Sequence, residues 1–185
     1  MIEIKRVTIY EELTGIKALQ VANLKSNLSS EEKFNEGFLT AEYSMSFLNQ
    51  MHLEESSIIA KDGDAVVGYA LVATQSIRHE HPLLASLFNV IDTLKINDGL
   101  FKDFNYVVVG QLCVAKRYRG QGLVQKMYNY YRESLFDKYQ FCITDVNEKN
   151  IRSLKAHIKT GFNVIDQVNY GGDKWQIIAW DWRKK

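Results

Sequence analysis

The chain has 185 residues with 46% hydrophobic and 12% aromatic content, which suits one core-forming domain over residues 1–185 and excludes a disordered chain. Its 23 Lys and Arg nearly balance 22 Asp and Glu, for a net charge of +1. Neither nucleic acid nor an anionic membrane is therefore expected as a partner, and a small molecule or a peptide end is the expected substrate.

Taken in chain order, Met1-Ile2-Glu3-Ile4-Lys5-Arg6 lacks the apolar core of a signal peptide. No run is long enough to span a bilayer, so the expected location is cytoplasmic. Ile2 to Ile9 alternates as a half-exposed strand does, and Leu13, Ile16, Leu19 and Leu24 predict a helix from about Glu11 to Lys25. Ser29 with Glu32 forms a capping-box signature opening a second helix, and another helix is predicted from Thr40 to about Met51. Ser56–Ala60 and Ala65–Gln75 flank Asp62-Gly63-Asp64 as a hairpin. A helix over Glu80–Leu94 precedes Tyr106–Val114, an apolar run of the kind a strand covered on both faces shows. Helix Gln121–Phe136, buried strand Phe141–Val146 and helix Asn150–Lys159 follow. Asn163–Tyr170, Gly171-Gly172 and Lys174–Trp182 close the chain as a hairpin. The whole reads as a mixed α/β (α+β) chain around one central sheet. Cys113 and Cys142 both lie in apolar runs without zinc-ligand spacing, and read as buried free thiols; no metal site is expected.

The sharpest local feature is Val114-Ala115-Lys116-Arg117-Tyr118-Arg119-Gly120-Gln121-Gly122-Leu123, between a buried strand and a helix. Glycines there let the backbone approach a ligand, and the helix start aims free N–H groups and a positive dipole end at one spot. Lys116, Arg117, Arg119, Lys126 and Arg132 all precede the first acid, Glu133. The combination predicts a phosphate or pyrophosphate cradle. It is not a P-loop, and it lacks the third glycine of a dinucleotide fingerprint, because position 125 is Gln125.

Arg117-x-x-Gly120-x-Gly122 resembles the fingerprint of the GNAT superfamily of acetyl-CoA-dependent N-acetyltransferases. Asn150-Ile151-Arg152-Ser153, followed by His157, Lys159, Gly161 and Phe162, resembles that family's second motif at its usual spacing. The resemblance is strong from about Tyr106 to Phe162. It implies a mixed, mostly antiparallel twisted sheet of about seven strands, helices on both faces, and fourth and fifth strands splayed apart. It also implies acetyl-CoA as cofactor. The backbones of Leu112, Cys113 and Val114 would pair with the pantetheine arm. The loop would hold the pyrophosphate through Arg117, Arg119, Gly120, Gln121, Gly122, Leu123 and Val124. Asn150 and Ser153 would contact the arm, although Asn150 also reads as a helix N-cap.

The family reaction is direct attack of a neutral amine on the thioester, which needs proton removal, an oxyanion donor (the backbone N–H near Val114 by resemblance) and a proton for the thiolate. The family's usual Tyr is replaced by His157, whose imidazolium would be a workable acid; a packing role is the alternative. The strand Tyr106–Val114 carries no acid. Gln111 is its polar mid-strand residue and would orient substrate or water, while Asp145 is the nearest candidate base, with a water chain or an already deprotonated amine as the alternatives. Residues 29 to 55 hold Glu31, Glu32, Glu36, Glu42, Glu54 and Glu55 against Lys33, either an acidic wall for a cationic amine or a solvated face. Phe34, Phe38, Tyr43 and Phe47 read as core. Tyr170, Trp175, Trp180 and Trp182 divide between packing and an acceptor site or subunit contact. The expected reaction is acetyl transfer to a primary amine of a small molecule or peptide. A different acyl-CoA or a catalytically silent acyl-CoA sensor is the alternative, and a homodimer is common among such relatives.

Overall fold

The computed structural model describes residues 1–29, 37–96, 99–170 and 172–183. The helix predicted from the Ser29/Glu32 pair, with Glu31, Glu32, Lys33, Phe34 and Glu36, lies outside the described residues, as does Gly171. Strands β1 (Ile2–Arg6), β2 (Ile58–Asp62), β3 (Ala65–Ala73), β4 (Tyr106–Val114), β5 (Phe141–Asn147), β6 (Asn163–Tyr170) and β7 (Asp173–Asp181) form one sheet in the order β1-β2-β3-β4-β5-β7-β6. All neighbouring pairs are antiparallel except β4 and β5. The helices are α1 (Tyr10–Ala22), α2 (Met45–Glu54), α3 (Pro82–Thr93), α4 (Leu123–Leu135) and α5 (Ile151–Thr160).

Because side chains alternate across a strand, each strand feeds two cores. Ile59, Tyr69, Tyr106, Val108, Phe141, Ile143 and Ile177 pack with Leu13 and Ile16 of α1, Leu48 and Met51 of α2, and Leu87 and Phe88 of α3. Ile58, Ala60, Ala70, Val107, Val109, Cys142 and Ile178 pack on the other face with Leu123, Met127, Tyr128 and Tyr131 of α4. Helices thus cover both faces of the sheet. Each fully buried large apolar side chain contributes roughly 1.5–3 kcal/mol.

Local chemistry sets the element ends. The helix predicted to begin at Thr40 begins instead at Met45, because Ser44 caps it: its Oγ accepts from the Phe47 N–H at 3.1 Å. Residues 37–43 are left outside the helix as a wall, with Leu39 bridged to Leu24. Helix α1 ends before Asn23, whose Nδ2 donates to Leu19 O at 2.8 Å.

Two irregularities position the site. Strands β4 and β5 pair over Tyr106↔Phe141, Val107↔Cys142 and Val108↔Ile143, and then part. On its other edge β4 pairs Val109 with Val72 but Gln111 with Leu71, leaving Gly110 as an extra residue. Such a bulge reverses the facing of everything beyond it. Before it, Val107 and Val109 face α4; after it, Val114 does and Cys113 faces the opposite core.

Candidate active site

Beyond Val108 and Ile143 the parting strands open a cleft of about 610 Å³. Thr144 Oγ1 donates to Val109 O at 2.8 Å and bridges the strands at its narrow end. Leu112, Cys113 and Val114 line one side; Asp145, Asn147 and the start of α5 line the other. The wall at 37–41, Tyr43, the first turns of α3, and Tyr170 and Trp175 of the closing hairpin complete it.

The loop after β4 passes through a turn at Lys116–Tyr118 and reaches α4 through Gly120 (φ +78°) and Gly122 (φ +75°). Both sit in the left-handed region that glycine tolerates, and a Cβ at either would meet no atom within 4 Å. The first helical bond runs from Lys126 N–H to Gly122 O at 3.1 Å, so the N–H groups of Leu123, Val124 and Gln125 precede it. A 13-residue helix thus presents its positive end, with glycine backbone beside it, to the cleft. Arg119, Gly120, Gly122, Leu123 and Val124 line the cleft. Arg117 and Gln121 do not. Arg117 instead stacks its guanidinium over the Tyr118 ring at 4.6 Å and donates to the Tyr118 hydroxyl. That hydroxyl in turn donates to Asp62 at 2.7 Å. The Gln121 carboxamide donates to Arg117 O at 3.1 Å. The side chains of these two residues therefore hold the loop's outer face.

Asn150 performs the cap role: its Oδ1 accepts from the Ser153 N–H at 3.4 Å, while its Nδ2 donates to Phe38 O at 3.1 Å. Both Asn150 and Ser153 line the cleft. So do Arg152, Lys155 and Lys159 of α5, a basic stripe that the sequence reading passed over. Their spacing of three and four residues was its signal.

The proton-handling candidates separate cleanly. Asp145 is half-buried in the cleft. Desolvation pushes its carboxyl up to about 7, partly opposed by a bond from its own backbone N–H. No salt bridge to it is found among the described residues. His157 is buried, and burial lowers its ring to about 4. Its Nδ1–H donates to Ser153 O at 2.8 Å, and Tyr128 and Phe162 pack on it at 5.4 and 5.3 Å. His157 also lines the cleft, but burial holds its ring below the ordinary range and its Nδ1 proton is engaged with backbone, which favours its packing reading over the imidazolium acid. Gln111 is likewise committed. Its Oε1 accepts from Gln20 Nε2 at 2.8 Å and Tyr69 Oη at 2.7 Å, and its Nε2 donates to Ala41 O at 2.8 Å. It lines the cleft and also fastens the wall at Ala41. The Cys113 thiol is pushed up to about 12 by burial, so it supplies no nucleophilic thiolate. Both cysteines are buried and free.

The open gap between β4 and β5 has a glycine cradle at one end and Asp145 at the other. The chain belongs to the GNAT acetyltransferase family: the profile of the Acetyltransferase (GNAT) family matches residues 24–162. Solved structures of similar fold include the NatC complex bound to Gag peptide and CoA, at 14% identity and TM-score 0.65 over 97% of this chain and 98% of that one. The ribosomal-protein-S18-alanine N-acetyltransferase from Escherichia coli aligns at 11% identity and TM-score 0.63, over 98% of this chain and 94% of the other. The structure of yncA from Salmonella typhimurium with its cofactor acetyl-CoA aligns at 14% identity and TM-score 0.64, over 100% and 96%. No curated protein matches the sequence. Family membership supports use of an acyl-CoA, and the residues present fit one: a Cβ-free cradle, a helix N-terminus, an unpaired strand edge and a basic stripe converge on the cleft.

Proposed function

We propose that the chain transfers an acetyl group from acetyl-CoA to a primary amine of a small molecule or peptide by direct attack. The observation that carries this reading is the gap beyond Val108 and Ile143, which joins the N-terminus of α4 to the unpaired Asp145. The backbone of Leu112, Cys113 and Val114, on the edge that has parted from β5, would hold the pantetheine arm. The N–H groups from Gly120 to Val124 would hold the pyrophosphate, with Arg152, Lys155 and Lys159 beside it. Bound there, acetyl-CoA would supply the thioester; its C–S bond would break as the N–C bond forms, and the departing thiolate would take up the proton that the amine gives to Asp145. Asp145, near 7, is half-ionised at neutral pH and takes the proton released by the attacking amine. The protonated Cys113 argues for direct attack over an acyl-cysteine relay. Buried free thiols and an acyl-CoA cosubstrate both fit a cytoplasmic protein.

The test is a thermal-shift titration with acetyl-CoA, CoA and ADP, followed by thiol release on an amine panel. A ligand that binds only the folded state at 100 times its Kd adds about 2.7 kcal/mol of stability. A shift with acetyl-CoA, weaker with ADP, supports the cradle, and amine-dependent thiol release supports the reaction. Binding with no turnover on any amine identifies an acyl-CoA sensor instead.

A further inference from the structure

Among the described residues, two acids line the cleft, Asp145 and Asp173. Lys25 and Lys149 take the Asp173 carboxylate at 3.3 and 2.8 Å and hold it below its ordinary range. Asp145 is thus the only cleft carboxylate outside an ion pair among the described residues. The described glutamates near the N-terminal helices do not reach the cleft. Glu42 pairs with Lys17 at 2.7 Å, Glu55 with Arg6 and with Lys138 at 2.6 Å, and Glu54 accepts from Ser76 at 2.6 Å.

Beside the polar Thr40, Gln111 and Asn147, the remaining wall carries an apolar and aromatic patch. Phe38, Leu83, Tyr43, Tyr170 and Trp175 line it. Tyr170 and Trp175 stack with centroids 4.8 Å apart and planes 8° apart, fixed by Trp175 Nε1 donating to Tyr170 O at 3.3 Å. Strand register connects this pair to the acid. Asp145 lies opposite Ile177 and Asn147 opposite Trp175, so Trp175 is the diagonal cross-strand neighbour of Asp145 on the same face. Diagonal neighbours sit roughly 7–8 Å apart, the span of a ring carried on a short aliphatic amine.

We infer that the acceptor is a monoamine with an apolar, ring-bearing body, its nitrogen at Asp145 and its ring against Trp175 and Tyr170. A polyamine or aminoglycoside carries further ammonium groups. Each would have to be desolvated against Phe38, Leu83 and Trp175 with no carboxylate outside an ion pair among the described residues to receive it, which is costly. A single ammonium meets the one carboxylate, and an aromatic face contributes both apolar burial and quadrupole attraction. This rests on the acetyl-transfer reading above.

The experiment compares kcat/KM for 2-phenylethylamine, spermidine and kanamycin at saturating acetyl-CoA, in the wild type and in Trp175→Ala and Trp175→Phe. In parallel, quenching of tryptophan fluorescence by 2-phenylethylamine is read without acetyl-CoA, with Trp175→Phe identifying the responding ring. The expected result is at least tenfold preference for 2-phenylethylamine. Its KM rises about tenfold in Trp175→Ala and is largely restored in Trp175→Phe, while the KM for acetyl-CoA stays constant. Equal or better turnover of spermidine or kanamycin overturns the inference and leaves acetyl transfer standing. If acetyl-CoA gives no thermal shift, the acetyl-transfer reading fails, and quenching that vanishes in Trp175→Phe then supports the aromatic amine site on its own. Absence of such quenching in a wild type that turns over no aromatic amine overturns it.

Discussion

Arg119 Nη2 donates to Asn23 Oδ1 at 2.6 Å, and the backbone of Asn23 accepts from the Leu39 N–H at 2.9 Å. The loop that ends in the glycine cradle is therefore one side chain removed from the wall at 37–43. Arg119 also donates through Nε to Val114 O at 2.9 Å, which locks the end of β4 into the same unit. Asn23 thus joins the loop to the wall.

Removal of this joint should separate the two halves. Asn23→Ala deletes a charge-assisted bond, worth about 1.5–3 kcal/mol when desolvated and less here because the pair is only partly buried. Thermal unfolding should report a loss near the lower figure. The KM for the amine should rise several-fold, with a smaller change in the KM for acetyl-CoA. Equal changes in both would mean that the wall does not depend on the loop.

Gly122→Asp tests the cradle. The position has φ +75°, which costs an L-residue about 1 kcal/mol, and its side chain would project into open cleft. Gly122→Ala adds the strain without the charge. The thermal shift given by acetyl-CoA should fall modestly in Gly122→Ala and vanish in Gly122→Asp. Retained affinity in the Asp variant would remove the phosphate assignment.

These loop positions were legible in the sequence because spacing of glycines and basic residues is a one-dimensional pattern. So were most strands and helices, where period-two or helical apolar spacing is written locally. The facing of Gln111 was not. It follows from the extra residue at Gly110, and a bulge depends on how β3 and β4 register, not on the residues of β4 alone. The state of His157 was hidden for a similar reason. Its low pKa comes from Tyr128 and Phe162, brought to it by packing. The basic stripe Arg152, Lys155 and Lys159 was present as spacing but had no meaning until α5 was set beside the gap.

Gln111 gives a prediction from that hidden geometry. Gln111→Leu leaves Tyr69 Oη, Gln20 and Ala41 O without their partner, at about 1–3 kcal/mol for each buried group left unpaired. The variant should unfold at a clearly lower temperature and lose amine turnover while still responding to acetyl-CoA. Gln111→Glu keeps the acceptor oxygen for Gln20 and Tyr69 but turns a carboxylate oxygen toward Ala41 O, so it too should unfold at a lower temperature than wild type.

The last prediction concerns pH, and joins Asp145 to His157. Asp145 titrates near 7 in the folded chain against an ordinary value of 3.8. Between those values the folded state holds a proton the unfolded chain has released, so this group makes stability fall as pH rises from about 4 to 7. His157 is the reverse: about 4 when folded against 6.5. The unfolded chain takes up that proton first, so stability is lost as pH falls from 6.5 through 4. The two slopes oppose each other across nearly one window, and the wild type should show a muted dependence there. Asp145→Asn should unmask stability that rises from pH 4 to 6.5, and His157→Phe should unmask stability that falls from pH 4 to 7; denaturant midpoints across the range read both. Activity should follow Asp145 alone, with kcat/KM for the amine rising with pH to a plateau through about 7. That acid limb should disappear in Asp145→Asn along with most turnover. It should persist in His157→Phe with turnover within a few-fold of wild type. Loss of the limb in the His157 variant would return the proton-transfer role to the histidine.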